Sequence, residues 1–441
     1  MGIEQSPSAS PASKPAYIIS LALLLVFVVW NTSWRLTPGW SADDGVHLRF
    51  SSVYSVRDYL FNPELLRIAS YANLTPLLNL FYSFNLSQLG LDASAWRASS
   101  GALSVAAVAA FYAASSQYMR PALALFVVGA WVLGAPFFYT AATFMTSHYM
   151  LGMLGASLCV WSFFRWVRQG AGVYLVGAVL FYGLAIFAKE VFVPLPALLI
   201  LHKPWRRAVW GVTPMALLLG LYLALRYAVF GSVVGGYRSG HFIKVGDGWP
   251  LIERLAQLPA TLFGGGWQAA TFGLVFFFFL WRATGGLRVV TAAAIGVVLL
   301  PLLPLVAVSN LTEPDRYFFV ASAVALFMLG LMIESSLRLR SGRPGLAFVV
   351  CALILYLPLQ QQLQRVPGLV RGLNTQAAIY NHVLGTTGPM LILNPELPAD
   401  AGYWSHVLNG ARETQARLSG RDRYDKVLMV GDPQSPILFG L

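Results

Sequence analysis

Charge is scarce in this chain. Of its 441 residues only 11% are Asp, Glu, Lys or Arg, while 57% are hydrophobic. Ordinary soluble domains carry about 25% charged residues, so composition excludes a soluble enzyme. Carboxylates are the scarcest charge, with 18 acidic residues against 30 basic ones. Cysteine is nearly absent too. Cys159 and Cys351 both lie inside apolar runs and read as small buried hydrophobes, not as a disulfide framework. The sequence has no zinc-type Cys/His cluster, no P-loop, no Rossmann glycine fingerprint and no Gly-x-Ser-x-Gly elbow. Nor does it contain an internal repeat.

What is abundant is apolar runs close to the ~20 residues that cross a bilayer. They predict an all-α polytopic membrane protein of about eleven transmembrane helices, over 17–34, 96–118, a third run ending near 133, then 149–164, 173–187, 191–201, 208–230, 267–281, 289–308, 318–333 and 346–359. The run over 191–201 is short and holds Pro194 and Pro196. Residues 1–16 are Ser/Pro-rich and read as a disordered cytoplasmic tail. Two long polar loops, 36–95 and 231–260, interrupt the transmembrane domain of 17–359. The first carries amphipathic stretches rich in Tyr and Trp, one of them over 71–82 and broken by Pro76, which suit helices lying at the interface. Residues 136–148 read as a more polar return and 310–317 as a tight polar loop. The final part, 360–441, is soluble in composition. Met390–Leu393 and Val427–Val430 are short apolar runs among helical-looking segments, which predicts a small α/β C-terminal appendage.

Charge sets the orientation. With the amino terminus inside, the inner loops hold Lys14, Arg120, Arg165, Arg168, Lys203, Arg206, Arg207, Arg282, Arg288, Arg338, Arg340 and Arg343, against only Glu4 and Glu334. This is the positive-inside asymmetry, and it accounts for the net charge of +12 without any nucleic-acid partner. An odd number of spans then puts the carboxyl tail outside, in the periplasm of a bacterium whose inner membrane the chain spans.

The outer loops collect most of the remaining ionisable residues. Asp43 and Asp44 follow the first span, with His47 close behind; Arg57, His148, Lys189, Glu190, Arg238, His241, Lys244, Asp247, Glu313, Asp315 and Arg316 lie on the same side. Ionisable groups at the membrane boundary are functional candidates. Two roles are open to the Asp pair: a base that takes the proton of a hydroxyl, or a holder of a divalent cation, Mg or Mn, beside a phosphate. As plain structure, Asp-Asp-Gly is an ordinary turn. Lys189 with Glu190 reads either as a local ion pair or as a phosphate-binding lysine with its orienting carboxylate. Arg316 has the same ambiguity with Glu313 and Asp315.

The order of these motifs resembles the GT-C superfamily of polytopic glycosyltransferases, in the branch similar to protein O-mannosyltransferases and aminoarabinose transferases. Asp43-Asp44 matches the acidic pair of its first outer loop, and Thr75-Pro-Leu-Leu-Asn-Leu80 looks like its Arg-Pro-Leu stretch, with Thr75 where the Arg usually stands. Ala188-Lys-Glu-Val-Phe-Val-Pro-Leu-Pro196 is similar to its Ser-Lys-Glu…Pro motif, and Pro314-Asp-Arg-Tyr317 to its Glu-Arg-Tyr motif, with Asp315 for the usual Glu. The resemblance covers about 17–359. It implies inverting transfer of a sugar, a pentose such as arabinose or a hexose such as mannose, from a polyprenyl-phosphate donor to a periplasmic protein such as a pilin, or to a glycolipid. It also implies that Asp43 and Asp44 activate the acceptor or hold a metal, and that Lys189, Arg316 and Tyr317 bind the lipid phosphate, with His47, Glu190, Arg57 and His148 in support. The rival classes are a lipid-linked sugar flippase or transporter and a non-enzymatic membrane assembly factor.

Overall fold

A computed structural model describes residues 14–69, 73–202, 204–233, 266–283, 314–339, 355–360, 362–393 and 401–430, with 286–288, 290, 291, 294 and 352. The expectations for 1–13, for most of the loop 231–260, for most of the ninth and eleventh runs and for Arg238, His241, Lys244, Asp247 and Glu313 lie outside the described residues.

The chain is mostly helical, with a small sheet near its end. Among the described residues five helices are long and apolar enough to cross a membrane, or six if one bent pair counts as a single span. The chain is therefore a multi-pass membrane protein. The first span, α1 (Lys14–Val29), runs on through a π-helical turn, Trp30–Trp34. The others are α6 (Ala93–Ser115), α9 (Ser147–Gln169), α12 (Trp205–Phe230) and α14 (Pro314–Leu339). The bent pair is α7 (Pro121–Val132) with α8 (Ala135–Ala142), at 67°. Shorter apolar helices fill in: α10 (Gly172–Ala188), α11 (Leu195–Leu199) and α13 (Gly266–Arg282).

Local chemistry sets the ends. Asp92 caps α6 by accepting the N–H groups of Ser94 and Ala95 at 2.9 and 3.1 Å. Gly170, at φ +75°, closes α9 in the left-handed region. Pro214 sits inside α12, as bundles in a membrane tolerate.

The first loop holds four helices among the described residues: α2 (Asp44–Val53), α3 (Val56–Phe61), α4 (Pro63–Ala69) and α5 (Pro76–Leu89). Three expectations change here and beyond. Pro76 does not break a helix but opens α5, where a missing N–H costs nothing. The polar return over 136–148 is the wholly buried α8 followed by a 3₁₀ turn, Phe144–Thr146. Two of its Thr hydroxyls bond to nearby carbonyls, Thr143 to that of Tyr139 and Thr146 to that of Thr140. Pro314 likewise starts α14, so Asp315, Arg316 and Tyr317 belong to its first turn and not to a loop.

The tail forms α15 (Val366–Gly385), β1 (Met390–Leu393), α16 (Ala401–Leu418) and β2 (Val427–Val430). The two predicted apolar runs pair in parallel, Met390 opposite Val427 and Leu393 opposite Val430. Buried Arg412 ties the unit together. Its guanidinium donates to the carbonyls of Val383, Thr386, Gly388 and Asp425, at 3.1, 2.7, 2.5 and 3.1 Å.

The tail does not stand apart from the first loop. One core holds Trp40, Leu48, Tyr82, Trp96 and Phe144 together with Tyr380, Trp404, Val407 and Leu408. Helix α16 crosses α2 at two glycines. A Cβ on Gly45 would lie 1.8 Å from the Val407 carbonyl oxygen, and one on Gly410 would lie 2.5 Å from the Gly45 oxygen. Only glycine permits this approach. The other main core lies among the spans, around Phe111, Trp131, Phe137, Tyr149 and Phe319.

Candidate active site

The loop 37–43 between the first span and α2 has almost no secondary structure of its own. Helix α15 supplies its partners. Asn374 accepts the Thr37 N–H at 2.8 Å, Gln376 accepts the Ala42 N–H at 3.0 Å, and Asn381 donates to the Pro38 carbonyl at 3.0 Å. The Tyr380 hydroxyl donates to the Ala42 carbonyl at 2.8 Å and accepts the Gly45 N–H at 3.2 Å. These bonds hold Ala42 at φ +43°, a conformation that costs a non-glycine residue energy.

The strained turn delivers the two carboxylates to different places. Asp44 is fully buried. Its Oδ2 accepts the Ser41 N–H at 2.6 Å and its Oδ1 accepts the Tyr82 hydroxyl at 2.5 Å. Burial nevertheless dominates and pushes the Asp44 carboxyl up from 3.8 to about 7, against the hydrogen bonds from Tyr82 and Ser41 and the nearby Arg97 charge. Asp43 stays half-buried and accepts the hydroxyl of Tyr403 from the first turn of α16. His47, one turn on, packs its ring 5.0 Å from that of Tyr82. Burial lowers its pKa, partly offset by Asp43 and Asn79, and its Nδ1 has no protein partner.

A second group lies beyond His148. Lys189 is buried, with its ammonium 5.3 Å from the Tyr149 ring centroid and 3.9 Å from Glu190. Glu190 is more committed elsewhere: its Oε1 accepts the Leu74 N–H at 2.7 Å and pairs with Arg226 at 2.5 Å. Arg316 donates to the Tyr317 hydroxyl at 2.9 Å, with its guanidinium over the Tyr317 ring. Arg316 and Arg226 both lie within electrostatic reach of Lys189.

His148 joins the groups. Its charged neighbours are Lys189, Arg316 and His47. The structure thus brings together Asp43, Asp44, His47, His148, Lys189, Glu190, Arg316 and Tyr317. It leaves Arg57 outside, exposed on α3 beside the Ser55–Asp58 capping box. The site lies toward one end of the bundle. Arg316 and Glu334 are eighteen residues apart on α14, about 27 Å along a helix, and Glu334 pairs with Arg120 at the other end.

Sequence reasoning missed Arg97, Arg226, Tyr82, Tyr380 and Tyr403. For the arginines a signal existed: each is a charge inside an apolar run. Arg97 is buried, donates to the Ala142 carbonyl and lies over the Phe144 ring. For the tyrosines there was none, because their partners are far away in sequence.

A divalent cation at the two Asp carboxylates would compete with donors that they already have. Both Asp44 oxygens are taken by protein donors, and Asp43 Oδ1 by Tyr403. Among the described residues no three His, Cys, Asp or Glu side chains gather as a ligand set.

No family model matches this chain, and no curated protein is similar to it by sequence. Solved structures similar to it include two of one protein. One is ArnT from Cupriavidus metallidurans in the apo state, at 16% identity over 96% of this chain and 87% of that one, with a TM-score of 0.49. The other is ArnT from the same organism bound to undecaprenyl phosphate, at 14% identity over 95% and 86%, again with a TM-score of 0.49.

Proposed function

We propose that this chain is a membrane glycosyltransferase that moves a sugar from a polyprenyl-phosphate donor to a hydroxyl. The observation that carries the reading is His148, a buried imidazole whose charged neighbours include the cations Lys189 and Arg316 and, from the helix that starts at Asp44, His47. A sugar phosphate has two ends. Its phosphate suits Lys189 and Arg316, since like charges held together favour an anion and a guanidinium meets phosphate in two bonds. Its anomeric carbon then faces the acidic turn. Of the two carboxylates Asp43 is the base, because Asp44 is sealed and already bonded on both oxygens. Asp44 orders the turn that presents Asp43.

In the reaction the acceptor hydroxyl gives its proton to Asp43. Its oxygen bonds to the anomeric carbon, and the bond from that carbon to the phosphate oxygen breaks with its electron pair left on the lipid phosphate. Attack from the side opposite the phosphate inverts the anomeric centre. The donor carries its own leaving group, so no nucleotide takes part. In the oriented form of this reading the site faces the periplasm of a bacterial inner membrane, with the amino terminus in the cytoplasm and residues 360–441 outside, packed on the first loop. Arabinose or mannose is the sugar and a pilin-like protein or a glycolipid the acceptor.

The test is transfer by purified protein from undecaprenyl-phosphate arabinose or mannose, beside Asp43→Asn and with chelator. Transfer by the wild type that survives chelator and disappears in the variant supports the reading. Equal transfer by the variant refutes the role of Asp43. Movement of the intact lipid between leaflets without transfer would favour a flippase.

A further inference from the structure

Three phenols surround the acidic turn. Tyr82 and Tyr380 are fully buried, and their hydroxyls serve Asp44 and the loop backbone. Tyr403 is different. It is 38% exposed, and its hydroxyl donates to Asp43, the half-buried member of the pair.

We infer that Tyr403 is a displaceable cover on Asp43, its phenol filling the position that an acceptor hydroxyl takes when the site works. The identity of that ligand rests on the glycosyltransferase reading; the cover itself does not. A phenol and an alcohol make the same bond to a carboxylate, one O–H donor to one oxygen, so one replaces the other without rearranging Asp43.

The placement of Tyr403 supports displacement. Helix α16 is pinned on α2 by the Gly45–Gly410 crossing and by the Arg49–Glu413 ion pair at 2.8 Å. Tyr403 lies two turns before Gly410, in the first turn of the helix. The phenol can therefore rotate away while the helix body stays in place. An acceptor reaches Asp43 by taking the place of the Tyr403 phenol. When it has displaced the phenol, its hydroxyl proton passes to Asp43. Its oxygen forms the new bond to the anomeric carbon, and the phosphate leaves with the electron pair of the broken bond. Tyr403 is a positioning residue in this account and exchanges no proton.

Tyr403→Phe in the full-length protein removes the hydroxyl and keeps the ring. Two measurements read it. The first is carbodiimide-driven coupling of glycine ethyl ester to Asp43, followed by peptide mass spectrometry, with exposed Glu64 as the internal control. Coupling at Asp43 rises about three- to tenfold, the range set by loss of one net hydrogen bond, while Glu64 is unchanged. Equal or slower coupling at Asp43, or a parallel rise at Glu64, overturns the inference. The second uses glycerol as the hydroxyl acceptor with undecaprenyl-phosphate arabinose or mannose. The KM for glycerol falls about three- to tenfold with a smaller change in kcat. A higher KM would mean that the phenol helps to bind the acceptor and would overturn the cover. If neither wild type nor variant transfers sugar, the glycosyltransferase reading fails and the coupling result alone decides whether Tyr403 covers Asp43.

Discussion

The two halves of the site are built in opposite ways. The acidic turn is specified by hydrogen bonds: each carboxylate oxygen with a protein partner has a neutral donor, a phenol or a backbone N–H. The cationic half is specified by charge, with Lys189, Arg226 and Arg316 brought around one another and Glu190 shared between Lys189 and Arg226. Neutral donors fix where a carboxylate points without cancelling its charge, which suits a group that must exchange a proton. Clustered cations create a field that an incoming phosphate satisfies. The halves also differ in origin. The tail holds the backbone of the acidic turn and bonds Asp43, while Tyr82 of the first loop bonds Asp44; the cationic half draws on Lys189, Glu190, Arg226 and Arg316 instead.

Substitutions can break this contrast. The largest effect on catalysis falls on the acidic side. Asp43→Asn lowers kcat by about 10²- to 10⁴-fold, the usual worth of a positioned base, with little change in thermal stability. On the cationic side Lys189→Ala raises the KM for the lipid donor by about tenfold, as loss of one charge-assisted bond does, and leaves the KM for the acceptor alone. A reversal of these two kinetic signatures would undo the division of labour.

Stability separates the halves in another way. Glu190→Gln leaves the buried Arg226 guanidinium without its carboxylate, whose side chain is 21% exposed. Breaking such a pair costs about 3 kcal/mol, read as a lower unfolding midpoint in detergent. The smallest effect is the response to pH. Burial raises the Asp44 carboxyl from 3.8 to about 7, so between those values the folded protein binds more protons than the unfolded chain. Stability therefore falls as pH rises through that window and levels off above about 7. Asp44→Asn removes that part of the slope. An unchanged slope in the variant would place its origin in another group.

Much of the fold was legible in the sequence because lipid demands long apolar helices, and these are visible as runs. The same logic failed where apolar or polar character did not report depth. Residues 136–148 look polar, yet α8 is mostly apolar and buried, and Thr143 and Thr146 just after it bond to nearby carbonyls. Pro76 and Pro314 looked like interruptions, yet each stands at a helix start, where proline is favoured. The acidic pair, Lys189 and Arg316 could be singled out because charge is rare in such a chain. Arg97 and Arg226 satisfied the same criterion and were passed over. The tail's two strands were visible as short apolar runs. Its grip on the acidic turn was not, since Tyr403 lies 360 residues from Asp43 and Tyr380 lies 335 from Gly45. Such contacts leave no periodic trace along the chain.

The central claim is that both halves serve one sugar phosphate, and a structure of the protein with bound undecaprenyl phosphate tests it most directly. The account predicts the phosphate within hydrogen-bonding reach of Lys189 and Arg316, beside His148. A phosphate held away from both cations, or one separated from Asp43 by the protein core, would contradict it.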